Sequence, residues 1–171
     1  MKKIAIIQSN YIPWKGYFDI INMVDEFFIF DEVQYTKRDF RNRNRIKTPR
    51  GVRWITIPVK VKNKYLQNIN QTKVADKSWA ESHWDTIKQN YLNAKYFSDY
   101  KLIFEDLYSS IDSDNLSKIN FRFIKTINSI LEIKTNTCQN LQSLYQSYHT
   151  QLQIYALCLL ENPQESLHLV L

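Results

Sequence analysis

The basic segment, residues 37–53, has the sequence KRDFRNRNRIKTPRGVR and contains eight of the 23 Lys and Arg residues of the chain. One acid, Asp39, lies among them. An arginine guanidinium matches two phosphate oxygens at once, and a lysine adds a compact positive charge. The segment lies between two apolar runs, FFIFDEV and WITIPVKV, so we expect a cationic loop held by two strands. The pattern predicts phosphate binding, with a solvated basic loop as the alternative.

Arginine and asparagine alternate in the middle of the basic segment. Asn42 and Asn44 separate three arginines, and in an extended backbone the two residue types would occupy opposite faces. One face could then hold a pyrophosphate while the other binds a neutral group. The phosphate-binding candidates are Lys37, Arg38, Arg41, Arg43 and Arg45.

Two further residues have side chains suited to general-base catalysis. Asp31 follows the apolar run FFIF, and a carboxylate at a strand end could act as a base, bind Mg²⁺ or hold a sugar hydroxyl. His83, beside Trp84 on a predicted helix, is the second candidate base, with a structural histidine as the alternative. Gln34 is expected to hydrogen-bond a sugar or an amide. The alternative for Asp31 and Glu32 is a solvated strand end or an ion pair with the arginines, and we interpret Glu32 in that way.

A third group of polar and aromatic residues follows the first apolar run of the chain. In open α/β sheets, ligands bind beyond the carboxyl ends of the strands. A helix that begins near Gly16 would add free N–H groups and a positive dipole there. For Tyr11 and Trp14 the alternative is packing of the loop against the sheet. The substrate-binding candidates in this stretch are Gln8, Asn10, Tyr11, Trp14 and Tyr17.

Apolar periodicity indicates the elements that position these residues. Buried strands are predicted over residues 4–8 and 27–30, with a helix over residues 14–24 between them. This order is typical of a right-handed βαβ unit. A third strand is predicted over residues 54–61, with Pro58 at an edge or a bulge. Three helical stripes follow further along the chain. We therefore predict an α/β fold with a small, mostly parallel sheet and flanking helices, followed by a helical segment.

Composition limits the classes of protein to consider. The chain has 171 residues, of which 44% are hydrophobic, and a net charge of +6, which together fit a globular domain with an anionic ligand. Only two glycines occur, which excludes a Gly-rich phosphate loop. Cys138 and Cys158 match no metal spacing, and the residues specify no cofactor. Because no apolar run is long enough for a signal peptide or a membrane span, we expect a cytoplasmic protein.

Lysine and arginine are confined to residues 1–134 and are absent from residues 135–171. The tail carries two acids, Glu161 and Glu165, so its charge of −2 and the charge of +8 on the rest add to the net +6. We predict one α/β domain over residues 1–134, followed by an atypical tail that is helical or poorly ordered. A neutral helical tail is one interpretation, and a frameshift or a truncated gene is the other.

Three stretches resemble the WbqC-like family, which is found among bacterial genes for O-antigen and other surface polysaccharides. They are IIQSNYIPWKGYFDIINMVDEFFIFDEVQY (residues 6–35), KRDFRNRNRIKTPRGVRWITIPV (residues 37–59) and SWAESHWDTIKQNYLNAKYF (residues 78–97). The order of Tyr-x-Pro-Trp-x-Gly-Tyr, Asp-x-Val-Gln and Asn-Arg-Asn-Arg-Ile is specific. The resemblance implies a role in surface-polysaccharide biosynthesis and, as suggested for some members, transfer of glycine to an O-antigen sugar.

The chain departs from the family pattern in two places. Ser9 stands where family members usually have a proline after the Gln of the first stretch. The Lys-Thr-x-Arg-Leu and Ser-Gly-Pro segments usual in the C-terminal part of the family are absent, and the Lys/Arg-free tail takes their place. An inactive, truncated remnant is therefore one of the alternatives for this chain.

Two functional classes stay open at this point. The first is a transferase acting on a nucleotide-sugar or a lipid-pyrophosphate sugar, with arginines on the diphosphate and Asp31 or His83 as the base. The second is an RNA- or tRNA-binding module in which Phe40 and Tyr35 of the basic region stack on bases. Binding to nucleic acid through several arginines would weaken steeply with salt. The sequence specifies neither the oligomeric state nor a metal requirement.

Overall fold

The computed structural model describes residues 2–131 and the backbone of residues 138–140. The boundary predicted near residue 134 and the rest of the predicted tail lie outside the described residues. The elements are β1 (Ile4–Ile7), α1 (Lys15–Met23), β2 (Glu26–Ile29), β3 (Arg43–Thr48), β4 (Gly51–Thr56), a 3₁₀ helix (Ile69–Gln71), α2 (Trp79–Tyr91), α3 (Phe97–Ser109), α4 (Leu116–Ile130) and β5 (Cys138–Asn140). No helix in these ranges is long and apolar enough to cross a membrane.

β1, α1 and β2 form the predicted βαβ unit. β1 and β2 are parallel, with Ile7 opposite Ile29, and β5 pairs in parallel with the other side of β2. The predicted α/β fold with a small parallel sheet, flanking helices and a helical segment is confirmed. Because the strands are parallel, the residues that follow them, from Gln8 and from Asp31, lie at the same edge of the sheet.

The basic segment forms much of a β-hairpin and is not the loop that we predicted. β3 and β4 are antiparallel neighbours in a second sheet, with Arg45 opposite Trp54. Gly51 begins β4 after the turn at a φ of +105°, a conformation that favours glycine. β4 ends two residues before Pro58, so the strand predicted over residues 54–61 is shorter at its C-terminal end. The reason is that proline has no N–H to donate to a strand partner.

Two hydrophobic clusters hold the fold together, and α4 contributes to both. The larger cluster joins the hairpin with α2, α3 and α4 and includes Tyr11, Trp79 and Phe123. The smaller cluster lies between α1 and the parallel sheet and includes Phe27 and Ile124. Because Phe123 and Ile124 are neighbours on α4, this helix fixes the parallel sheet relative to the hairpin.

Candidate functional site

Asp31 lies two residues after β2 and is buried, with 5% of its surface exposed. Its carboxylate accepts hydrogen bonds from the backbone N–H of Ser9 at 2.8 Å and from the Ser9 hydroxyl at 2.6 Å. The hydroxyl of Ser117, in the first turn of α4, is a third donor. The carboxylate therefore joins the loop after β1, the end of β2 and the start of α4. Since both of its oxygens accept hydrogen bonds, these contacts fix the position of the carboxylate at this edge of the sheet.

Ser9 also connects Asp31 with the basic segment. The amide nitrogen of Asn120, on α4, donates to the Ser9 hydroxyl at 3.0 Å and to the backbone carbonyl of Arg41 at 2.8 Å. The sequence analysis noted Ser9 only as a departure from the family pattern and did not single out Ser117 or Asn120. A signal was present, because Ser117 and Asn120, like Asn128, are polar residues on the mainly apolar, buried face of α4.

The side chain of Arg41 lies at the same edge of the parallel sheet. Its guanidinium donates to Oε1 of Gln8 at 3.2 Å and to Oδ1 of Asn10. The Asp39 carboxylate is 3.7 Å away. Tyr17, buried in α1, donates its hydroxyl to the backbone carbonyl of Gln8 at 3.2 Å and so supports the same loop. We call the cluster of Gln8, Asn10 and Arg41 the Arg41 site.

His83 belongs to a different cluster, inside the larger core. Its Nδ1 lies 2.9 Å from the hydroxyl of Tyr11, which in turn lies 2.6 Å from the hydroxyl of Tyr108. Burial lowers the pKa of His83 to about 4, and a hydrogen bond with the Thr56 backbone acts in the opposite direction. The imidazole is therefore neutral at pH 7. Among the described residues, no hydrogen bond or ion pair joins His83 to Asp31, so the two candidate bases are not brought together.

The burial of His83 predicts a loss of stability in acid. A histidine in the unfolded chain has a pKa of about 6.5, so between about pH 6.5 and pH 4 the unfolded state binds a proton that the folded state does not. The contribution of neutral His83 to the free energy of unfolding is complete above the pKa of the unfolded state. Acidification to about pH 4 should lower the free energy of unfolding by about 3 kcal/mol. Urea unfolding at about pH 7 and pH 4 measures this loss in the protein and in His83→Gln.

His83→Gln should lose less stability on acidification than the unchanged protein. As a control, the double variant of His149 and His168, the other two histidines of the chain, should keep the full pH dependence. An equal acid-induced loss in the His83 variant and in the unchanged protein would show that His83 is not the responsible group.

The two asparagines of the basic segment bind backbone. Asn42 is buried, and its amide nitrogen donates to the carbonyl of Ile57 at 2.8 Å. The amide nitrogen of Asn44 donates to the carbonyl of Tyr11 at 3.2 Å and to that of Ile12. Ile12 has a φ of +49°, an uncommon conformation for a β-branched residue, and Asn44 helps to hold it. Of the two amides that we expected to bind a neutral group, Asn44 thus fixes the loop after β1 to the hairpin, and Asn42 joins the two ends of the hairpin.

Arg43 and Arg45 extend from β3 on the side opposite to Asn44. Their guanidinium carbons lie 4.1 Å and 5.3 Å from the centroid of the Trp54 ring, at cation–π distances. Arg43 also donates to the backbone carbonyl of Arg38, which has a φ of +63°. We call the surface formed by Phe40, Arg43, Arg45 and Trp54 the Trp54 face.

Three predicted site residues lie outside these groups. Gln34 donates to the carbonyl of Tyr65 at 2.7 Å, and the Lys37 ammonium lies 5.2 Å from the centroid of the Tyr65 ring. Trp14 is 70% exposed at the start of α1, where its ring covers Gly16. Within the described part of the chain, no group of three or more His, Cys, Asp or Glu residues could hold a metal ion.

Comparison with known proteins assigns the chain to a family. The chain belongs to the WbqC-like protein family, whose family model matches residues 8–167, and the resemblance read from the sequence is confirmed. One relative is the uncharacterized protein Rv1507c of Mycobacterium tuberculosis (strain ATCC 25618 / H37Rv), 50% identical over 135 residues. That match covers 79% of this chain and 58% of the relative, so the chain spans less than two thirds of the relative's length. No solved structure matches the chain.

Proposed function

We propose that this protein is a cytoplasmic transferase of surface-polysaccharide assembly that binds a phosphate-bearing sugar at the Arg41 site. The ligand is a nucleotide-sugar or a lipid-pyrophosphate sugar, and the group transferred to the sugar is a glycyl or another aminoacyl group. Membership of the WbqC-like family supports the biological context. The cluster of one arginine and two amides at the carboxyl ends of β1 and β2 supports the class of ligand.

The surroundings of Arg41 are the observation that carries this proposal. Neutral amide oxygens of Gln8 and Asn10 accept hydrogen bonds from the guanidinium, so the arginine is oriented before a ligand arrives. Among the described residues, the carboxylate that pairs with Arg41 is that of Asp39, at 3.7 Å, which is longer than a hydrogen bond. A phosphate oxygen could replace that carboxylate and form a shorter, charge-assisted bond with the same guanidinium.

Aminoacyl transfer also requires a base. As the sugar hydroxyl or amine bonds to the acyl carbon, the leaving group of the donor departs and the sugar loses a proton. Asp31 is the better placed of the two candidates, because it bonds Ser9, which lies between Gln8 and Asn10. His83 bonds Tyr11 within the aromatic core. In this proposal one of the three donors to Asp31 gives way to the sugar, and Asp31 accepts the proton.

Arg41→Gln is expected to abolish stabilisation by the ligand. A sugar nucleotide that binds only the native state raises the free energy of unfolding by about 2.7 kcal/mol at a hundredfold excess over Kd. The unfolding midpoint rises with it. Thermal unfolding of the full chain with a panel of UDP- and dTDP-linked sugars identifies such a ligand. Arg53→Gln, which removes an exposed arginine from the same segment, is the matched control and should keep the shift. A shift that survives Arg41→Gln would place the ligand elsewhere.

RNA binding is the second candidate, and the Trp54 face is the observation that favours it. Trp54 and Phe40 are 41% and 42% exposed, with ring centroids 5.7 Å apart, and such rings can stack on unpaired bases. Tyr35, which we predicted to stack on bases, is buried and does not offer its ring. Binding of single-stranded RNA that weakens steeply with salt would support this candidate. That binding should be lost in Trp54→Ala but kept in Arg41→Gln. A chain that binds neither class of ligand would fit an inactive remnant.

A further inference from the structure

A cavity of about 450 Å³ lies between the β3–β4 hairpin and helices α2 and α3. This volume falls within the range of about 300–1,000 Å³ that is typical of small-molecule sites. None of the three residues of the Arg41 site lines it, so it is a separate candidate site. Its wall consists mainly of apolar and aromatic side chains, among them Ile46, Ile55, Trp84, Phe97 and Phe104.

The polar groups in the buried part of this wall already have hydrogen-bond partners, whereas the lining residues Tyr96 and Tyr100 are exposed to solvent. The Tyr91 hydroxyl accepts a bond from the backbone N–H of Lys47 at 2.9 Å, and the Tyr108 hydroxyl pairs with that of Tyr11. The amide nitrogen of Asn44 donates to two backbone carbonyls, and its side-chain oxygen accepts a bond from the backbone N–H of Arg45. A nucleobase or a sugar placed against this wall would lose bonds to water without replacing them. The wall therefore favours an aliphatic body.

Three cations, Arg45, Lys95 and Lys101, also line the cavity. Across the described residues, none of them forms an ion pair with a carboxylate. The Arg45 guanidinium lies over the Trp54 ring, and the Lys95 ammonium lies 4.8 Å from the centroid of the Tyr96 ring. Because their charges are not balanced by acids, these side chains can attract an anion to the mouth of an apolar cavity.

We propose that this cavity binds one molecule of a single-chain lipid phosphate. The aliphatic chain lies against the aromatic wall, and the phosphate lies at Arg45, Lys95 and Lys101. Charge complementarity selects an anionic head group. In the buried part of the wall, the engaged polar groups and the apolar side chains favour an aliphatic chain over a nucleotide. Arg41 takes no part, so this inference stands independently of the transferase proposal.

Calorimetric titration of the full chain with decyl phosphate, at concentrations where the lipid is monomeric, tests the proposal. We expect saturable binding of about one molecule per chain. Decyltrimethylammonium, which has the same chain and the opposite charge, should bind at least about tenfold more weakly, and inorganic phosphate or uridine monophosphate should not compete. Equal binding of the two decyl compounds, displacement by the nucleotide, or binding only to anionic vesicles would overturn the proposal.

Variants at the cavity identify the site. Ala94→Trp narrows the apolar space, and the double variant Lys95→Glu/Lys101→Glu reverses two of the three charges. Each should lower the affinity for decyl phosphate by about tenfold or more, while Lys118→Glu, at an exposed lysine outside the cavity wall, should leave it within about twofold. Unfolding midpoints confirm that each variant is folded. Unchanged affinity in both cavity variants would contradict the assignment, and Arg41→Gln should bind decyl phosphate normally.

Discussion

Replacing Tyr11 with alanine is expected to lower the free energy of unfolding by at least about 4 kcal/mol. The side chain is fully buried, and its ring meets those of Phe123 and Trp79 edge-on, with centroids 5.1 Å and 5.8 Å apart. Removal of a buried aromatic ring costs about 3–5 kcal/mol because the core cannot close over the cavity. Loss of the hydroxyl also leaves His83 and Tyr108 without their shared hydrogen-bond partner, which adds to the cost.

The ring and the hydroxyl of Tyr11 can be separated experimentally. Tyr11→Phe keeps the packing and should cost about 1–3 kcal/mol, the penalty of unsatisfied buried polar groups. Tyr65→Ala removes a tyrosine that is 70% exposed and should change stability by no more than about 0.5 kcal/mol. Urea unfolding gives all three values. A loss below about 1 kcal/mol in Tyr11→Ala would show that this tyrosine is not part of the core.

The contacts of Tyr11 also bear on its role. The sequence analysis offered substrate binding, with packing against the sheet as the alternative, and the described contacts favour packing. Its backbone N–H donates to the carbonyl of Phe40 at 3.0 Å, and its own carbonyl accepts a bond from Asn44. Tyr11 therefore fixes the loop that carries Asn10 to the hairpin.

Replacing Asp31 with alanine is expected to lower the free energy of unfolding by about 3 kcal/mol or more. The substitution leaves the Ser9 N–H, the Ser9 hydroxyl and the Ser117 hydroxyl without their acceptor in a buried environment. Hydrogen bonds to a charged group contribute about 1.5–3 kcal/mol each, and losses within one network are not additive. Asp31→Asn should cost less, because one side-chain oxygen still accepts while the new NH₂ group faces hydroxyls that can rotate.

Glu32→Ala is the matched control for Asp31→Ala, because it removes the adjacent carboxylate, which is half-buried. We expect a change of no more than about 0.5 kcal/mol, measured by urea unfolding. Ligand binding provides a second measurement. Because Asp31 bonds Ser9 between Gln8 and Asn10 and, as the proposed base, contacts the sugar, Asp31→Asn should weaken binding of the sugar nucleotide. Unchanged binding would contradict the placement of Asp31 at the sugar. Equal stability losses at Asp31 and Glu32 would contradict the network.

The sequence by itself determined the elements whose signal is local. The apolar runs around α1 predicted the βαβ unit, and the three helical stripes further along the chain predicted helices, because burial of one face imposes a period on the chain. The dense positive charge of residues 37–53 and the family membership were also evident from the residues alone. The β3–β4 hairpin was not predicted from the sequence, because arginine and asparagine have weak strand propensity. The pairing of β3 with β4 overrides that propensity.

Which polar side chains contact one another depends on the tertiary structure. Asp31 and Ser117 are 86 residues apart, and Tyr11 and His83 are 72 apart. The periodicity of a helix or a strand says nothing about which residues it will face across such separations, because those pairings depend on how complete elements pack. For the same reason Asp31 and His83 both stayed candidate bases, each with a non-catalytic role as the alternative. Packing places Asp31 against Ser9, between Gln8 and Asn10, and places His83 against Tyr11 in the aromatic core.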